Sequence, residues 1–191
     1  MLAAGIDEAG RGALAGPVTA CAVIIPAGAE IPALIRDSKK LSADQRAAMY
    51  EFIAANYVYA VGQASSREID RLNILQATFL AMRRAVQKLK IQPELCLIDG
   101  NKIIPGLKIK QKAVVKGDAK IKVISAASIV AKVTRDRLMS ELNARHPQYD
   151  FAGHKGYGTP AHVEAIKRYG RSPEHRRSFA YPGENEQQGL F

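Results

Sequence analysis

Apolar and polar positions along the chain follow two periods in turn. Ala3–Ile6 and Val18–Ile25 are apolar runs of strand length with a glycine-rich turn between them. Ser42-Ala-Asp-Gln45 has the spacing of a capping box and predicts a helix over Ala43–Asn56. Tyr57–Gln63 is rich in aromatic and β-branched residues and predicts a third strand. A second capping box, Ser65-Ser-Arg-Glu68, precedes Leu72, Leu75, Phe79, Met82, Val86 and Leu89, which recur every three or four residues. That spacing is one face of a long amphipathic helix packed on a core. Leu95–Ile98 is a continuous apolar run suited to a central strand covered on both faces. A further strand is expected within Lys110–Lys116. A helix over Ala126–Asn143 opens on the small residues Ser125-Ala-Ala-Ser128, which permit close approach, and a last helix starts at Pro160 and runs to about Tyr169. From Pro182 to Phe191 the periodicity is lost. The pattern predicts one α/β domain over residues 1–181, a mixed central sheet flanked by helices, and a tail over 182–191.

Composition narrows the class. The 191 residues are 47% apolar and 24% charged, an ordinary globular balance. The longest apolar stretch, Val18–Ile25, is far short of the roughly 20 residues that span a bilayer. Asp7 and Glu8 stand where a signal peptide needs an unbroken apolar segment, so the expected location is cytoplasmic, with no membrane association. Cys21 and Cys96 lie in apolar runs and read as small buried hydrophobes. A monomer is the expected state. The net charge of +10 favours a polyanionic partner, nucleic acid ahead of an acidic membrane surface. Ten Lys or Arg fall between Lys102 and Arg137 against two acids, Asp118 and Asp136. A solvated basic face accounts for that run as well as a nucleic-acid surface does.

The acids in this basic chain are placed with some order. Asp7-Glu8 closes the first predicted strand, Asp99-Gly100 closes the run at Leu95–Ile98, and Asp118 follows the strand-like run ending near Lys116. Carboxylates at strand ends sit on the rim where α/β sites are built. Several of them in one cleft stay ionised only with cations present, and oxygen ligands alone suit Mg²⁺ or Mn²⁺. An Asp between a strand and a glycine is also a common turn residue, which is the better account of Asp99 or Asp118 taken singly. Asp37, Asp44, Asp70 and Asp136 read as capping or surface residues. Gly10-Arg-Gly-Ala-Leu-Ala15 fits a dinucleotide-binding fingerprint, but Pro17 and the run from Val18 give a turn and a strand where that fingerprint needs a helix. His154-Lys-Gly-Tyr-Gly-Thr159 presents an aromatic ring beside a cation between glycines, able to stack on a sugar or base, or simply a loop with a packed tyrosine. The four histidines show no metal-ligand spacing.

Read together, seven segments occur in series: Gly5-Ile-Asp-Glu-Ala-Gly-Arg-Gly12 with Gly16-Pro17 after it, Asp37-Ser-Lys-Lys-Leu41, Ile98-Asp-Gly100, Lys116-Gly-Asp118, Ser125-Ala-Ala-Ser-Ile-Val-Ala-Lys132 and Gly153-His-Lys-Gly-Tyr-Gly-Thr159. This set resembles bacterial ribonuclease HII over nearly the whole chain, from Ala3 to Phe179. The resemblance implies a ribonuclease H-like fold. It implies that Asp7, Glu8, Asp99 and Asp118 hold metal, that Gly10-Arg11-Gly12 reads a ribose 2′-hydroxyl largely through backbone, and that Tyr157 stacks beneath the neighbouring deoxyribose. Lys39 or Lys40 would contact a phosphate near the cut. The implied reaction is hydrolysis of the RNA strand of RNA–DNA hybrids, and cleavage 5′ to ribonucleotides in duplex DNA. Two divalent ions, Mg²⁺ or Mn²⁺, roughly 4 Å apart would assist it and leave 3′-hydroxyl and 5′-phosphate ends. A resolvase or transposase-like nuclease on the same fold would lack the 2′-hydroxyl reader, and a non-catalytic binding module would not need the acids. The tail ends Gln187-Gln-Gly-Leu-Phe191, which resembles peptides that dock on the sliding clamp. Its alternatives are packing back on the domain or remaining in solvent.

Overall fold

The computed structural model describes residues 2–37, 41–181 and 183–184. Lys39, Lys40 and Gln187–Phe191 lie outside them. Five strands, β1 (Ala3–Ala9), β2 (Val18–Ile24), β3 (Val58–Ala64), β4 (Leu95–Asp99) and β5 (Lys110–Val114), form one sheet in the order β3-β2-β1-β4-β5. The β3-β2-β1 part is antiparallel, and β4 and β5 join it in parallel. The mixed sheet expected from the sequence is therefore present. The β5 edge shows Lys110 and Lys112 to solvent, which discourages pairing with another chain.

Both capping boxes close as the sequence predicts. Ser42 and Gln45 exchange side-chain and backbone bonds at the start of α1 (Ala43–Asn56), and Ser65 and Glu68 do so at the start of α2 (Ser66–Leu72). The long amphipathic helix predicted beyond Ser65 is two helices. Asn73, with φ 66°, separates α2 from α3 (Ile74–Gln87) and accepts from the N–H groups of Leu75 and Gln76. The apolar period survives the break because Ile69 on α2 and Phe79, Met82 and Val86 on α3 cover one core against the same sheet face.

The opposite face carries α1 and the long α5 (Lys122–Arg145), which begins a turn earlier than its small residues predict. Between β5 and α5 stands a single turn, α4 (Gly117–Lys120), and Asp118 sits on it rather than on a strand end. Two glycines set how closely the helices press on the sheet. A Cβ at Gly5 would lie 2.3 Å from the backbone oxygen of Val123, and one at Gly62 would lie 2.1 Å from that of Ala81. Cys21 and Cys96 are buried free thiols, as expected. On β4, Cys96 and Ile98 are buried while Leu95 and Leu97 are half-buried. Only one face of that strand is sealed, unlike the expectation from its unbroken apolar run. Two further helices follow, α6 (Phe151–His154) and α7 (Pro160–Tyr169), and α7 builds over a third small cluster around Met139, Tyr149 and Phe151. Among the described residues no helix is long and apolar enough to cross a membrane.

Candidate active site

The acids converge where β1 and β4 part. Pairing of these parallel strands ends at Ile6↔Ile98, so Asp7 and Asp99 occupy the next step of the register. β1 itself runs on through Ala9 because β2 continues to pair with it, Asp7 opposite Cys21 and Glu8 opposite Ala20. The strand is thus three residues longer than its apolar pattern. Alternation turns Asp7 and Asp99 toward the α5 side and Glu8 the other way. Asp99 Oδ1 accepts from the N–H groups of Gly117 at 2.6 Å and Asp118 at 3.3 Å. That pair of bonds draws α4, and the buried Asp118 on it, to the end of β4. Four acids from three chain segments share one rim.

Their charges are strained. Burial pushes the Asp7 carboxyl well up from its usual range, with Glu8 and then Asp99 adding repulsion; the Glu8 N–H and the Ser128 hydroxyl offset part of it. Burial also raises Glu8, opposed by the guanidinium of Arg11 at 3.2 Å. Glu8 Oε2 is buried without a hydrogen-bond partner. Among the described residues no three His, Cys, Asp or Glu side chains close into a ready ligand cage, and Asp99 spends one oxygen on backbone N–H groups. The donor set still fits a hard divalent cation: it offers oxygen only, is shielded from water, and holds anions together at a cost that a cation would remove.

Glu8 lines two hollows. One of about 80 Å³ lies between Arg11, Asp99, Lys102 and Phe79. The other, about 330 Å³, lies between Gly10, Arg46, Ser128, Lys132 and Tyr157. The Gly10–Pro17 loop separating β1 from β2 is held from beneath by two fully buried arginines to which the sequence alone gives no role. Arg176 donates to the carbonyls of Gly10 (2.6 Å), Arg11 (2.8 Å) and Gly16 (3.0 Å). Arg135 donates to those of Pro17 (3.1 Å) and Ala15 (3.2 Å), and its guanidinium lies 5.4 Å from the centroid of the Tyr157 ring. The basic run at 102–137 is therefore not one solvated face, for Arg135 is inside. Its neighbour Asp136 pairs with Lys132 at 2.8 Å on the outer side of the helix, in keeping with its reading as a surface residue.

Tyr157 stands beside the loop, joined to it by the Leu14 and Ala15 N–H groups on the Gly156 carbonyl. Three histidines support it. His175 Nδ1 accepts from the Ser172 N–H at 2.9 Å, so its proton is on Nε2, directed at His162 Nε2 3.0 Å away. His162 then carries its proton on Nδ1 and donates to the Tyr157 carbonyl at 2.9 Å. The network assigns these tautomers, and both imidazoles must be neutral to complete it. Burial draws His162 down to about 4 and His175 to about 3, with the Arg171 guanidinium adding to both. His154 stacks on His162 with ring centroids 4.2 Å apart. A pH response follows. An unfolded chain takes up protons on His162 and His175 near pH 6.5 while the folded one does not, so stability falls as pH drops from about 6.5 toward 4. In thermal melts, His162→Gln, which can still donate to Tyr157, should flatten that fall. His162→Ala removes the donor to the Tyr157 carbonyl and should cost about 1–3 kcal/mol of stability at neutral pH; a wild-type melt in that variant would refute the support role.

The ribonuclease HII family model matches residues 4–181. The chain belongs to the ribonuclease HII family. A ribonuclease HII from Neisseria meningitidis serogroup B is 55% identical over 194 residues, covering all of this chain and 99% of that protein. The crystal structure of ribonuclease H2 from Pyrococcus horikoshii OT3 superposes with a TM-score of 0.80 at 28% identity, covering 98% of each chain. The ribonuclease HII of Archaeoglobus fulgidus, solved in a complex with PCNA, superposes with a TM-score of 0.73 at 26% identity over 94% of this chain and 96% of that one. The fold is ribonuclease H-like, and as a family member the chain is an endoribonuclease of the ribonuclease H class. Membership sets aside both the resolvase reading and the non-catalytic one.

Proposed function

We propose that this ribonuclease HII cuts the RNA strand of RNA–DNA hybrids and also cuts 5′ to single ribonucleotides in duplex DNA, leaving 3′-hydroxyl and 5′-phosphate ends. One observation carries the reading. The acid rim of Asp7, Glu8, Asp99 and Asp118 adjoins a loop, Gly10-Arg11-Gly12, whose Gly10 and Arg11 carbonyls are gripped from inside by Arg176 while Gly12 stays exposed to a ligand.

Asp7, Glu8, Asp99 and Asp118 would hold the Mg²⁺ or Mn²⁺ ions. Two such ions supply Lewis acidity at the scissile phosphate and favour deprotonation of the attacking water. The residues of the chain do the rest. Arg176 and Arg135 fix the loop so that its backbone meets a 2′-hydroxyl, the feature that separates RNA from DNA. Tyr157, 38% exposed, offers its ring to the sugar of the neighbouring deoxynucleotide. Lys102 and Lys132, at the two hollows, hold phosphates near the acids. Lys39 or Lys40 is proposed as a phosphate contact near the cut on the sequence resemblance alone. The test is cleavage of a duplex containing one ribonucleotide in Mg²⁺, against the all-DNA duplex. Cutting of both, or of neither, refutes the reading.

The domain is proposed to span residues 1–181, acting as a cytoplasmic monomer, with 182–191 as a docking tail. The Archaeoglobus fulgidus relative is bound to PCNA in its structure, which supports a clamp partner for the Gln187–Phe191 segment here. Leu190 and Phe191 would be adjacent apolar anchors and Gln187 a hydrogen-bonding rim. A labelled peptide covering 181–191 should bind the organism's own clamp saturably and weakly, since ordering a free segment opposes binding. Unchanged full-length association after Leu190→Ala with Phe191→Ala refutes docking.

A further inference from the structure

A cavity of about 580 Å³ lies away from the acids and is lined by Arg67, Asp70, Arg71, Pro173, His175 and Arg177. Its three arginines are exposed, and none has a carboxylate partner among the described residues. Most other arginines are committed. Arg84 pairs with Glu68, Arg137 with Glu51, Arg171 with Glu184 and Arg11 with Glu8, while Arg135 and Arg176 are spent on carbonyls. The one acid in the cavity wall, Asp70, is committed too. Its oxygens accept from the N–H groups of Arg177 and Ser178 and from the Ser178 hydroxyl at 2.6–3.0 Å. The bonds tie the C-terminal strap to α2 and leave three guanidinium groups facing one space.

The cavity is linked to the site through its walls: His175 in its lining reaches the Tyr157 carbonyl through His162. Arg177 follows Arg176, the residue that grips the Gly10 and Arg11 carbonyls. Arg71 precedes α3, whose Leu75, Thr78 and Phe79 line the hollow beside Glu8 and Asp99. Duplex DNA carries one negative charge per about 1.7 Å of axis, so a duplex held at the acids extends a dense row of phosphates beyond them.

We propose that Arg67, Arg71 and Arg177 form a second phosphate site, which takes the sugar–phosphate backbone of the bound duplex next to the cut. The inference rests on the proposed hybrid-cutting function for its ligand. Guanidinium forks suit phosphate oxygens, and a site reading phosphate alone adds affinity and register without adding base preference.

The test compares charge-matched double variants, Arg67→Ala/Arg71→Ala against Lys88→Ala/Lys90→Ala. The lysines lie beyond the far end of α3 from Leu75. Binding of a fluorescent hybrid is followed by anisotropy in EDTA over a salt series, with melts to establish folding. The arginine double should lower the slope of log K against log salt by about 0.9 for each phosphate no longer neutralised, close to two in all. The lysine double should leave the slope near wild type, and Arg67→Lys/Arg71→Lys should restore most of it. Adding Arg177→Ala should lower the slope further. In Mg²⁺ the arginine double should raise KM and keep kcat. Equal slopes for the two doubles overturn the proposal. So does a duplex slope unchanged in the arginine double while that variant alone loses saturable binding of inorganic phosphate, which assigns the cavity to a small anion. A wild type that binds hybrid with the arginine-dependent slope yet cuts nothing refutes the activity and not this site.

Discussion

Asp7→Asn and Asp99→Asn should each lower cleavage of a ribonucleotide-containing duplex by roughly three orders of magnitude or more, about 4 kcal/mol of barrier, while hybrid binding persists. Asp7 is buried with Glu8 and Asp99 raising its proton affinity. A carboxamide has the same shape, so the substitution leaves the packing around it in place. Without divalent ions, Asp7→Asn should melt higher than wild type, because one of several mutually repelling buried carboxylates has gone. Added Mg²⁺ should then stabilise wild type in proportion to ln(1 + [Mg²⁺]/Kd) and stabilise the variant far less. Asp99→Asn separates two roles. Its amide oxygen can still accept from the Gly117 and Asp118 N–H groups, so α4 keeps its place while the charge is lost. Asp118→Asn belongs to the same series. Turnover at the wild-type rate by both purified variants in Mg²⁺ sinks the metal assignment, whatever the melts report.

Residues whose partners are close in sequence were the legible ones. Ser42 with Gln45 and Ser65 with Glu68 meet the bonds their spacing implies, and a helix does start at Pro160. The acid series Asp7, Glu8, Asp99 and Asp118 was legible as a set, and strand order brings it together. What the sequence concealed depends on distant partners. Asp7 and Glu8 end the apolar pattern of β1, yet β2 keeps the strand going to Ala9. Asn73 breaks a helix that periodicity draws as continuous, because both halves cover one face of the sheet. Arg135 and Arg176 look like surface cations in basic stretches. Their burial follows from five carbonyls of the Gly10–Pro17 loop that need donors where water does not reach. The histidines fail every metal-spacing pattern, and only the tertiary pairing of His162 with His175 shows their use.

Gly12→Val should fold with wild-type stability and lose cleavage at an embedded ribonucleotide by about a hundredfold or more, roughly 3 kcal/mol. The two glycines of Gly10-Arg11-Gly12 are glycine for different reasons. Gly10 has φ 91°, and a Cβ there would lie 1.9 Å from Arg135 Nε. The fold itself demands it, so its substitution tests folding before it tests recognition. Gly12 is exposed, has no left-handed backbone, and has nothing within 4 Å of where a Cβ would stand. No neighbour in the chain requires glycine there. The space is available to something from outside, and a branched side chain would occupy the place where a ribose must come to meet the backbone. Rigidity sharpens the effect. Arg176 holds the Gly10 and Arg11 carbonyls at 2.6 and 2.8 Å, so the loop has little freedom to retreat from the added methyl groups. The loss should appear with unchanged melting temperature and unchanged binding of all-DNA duplex, which separates it from a folding defect or a weakened hold on phosphate. Gly12→Ala should fall between wild type and valine. Normal cutting by Gly12→Val, with its preference for the ribonucleotide intact, would remove this loop from the reading of the 2′-hydroxyl.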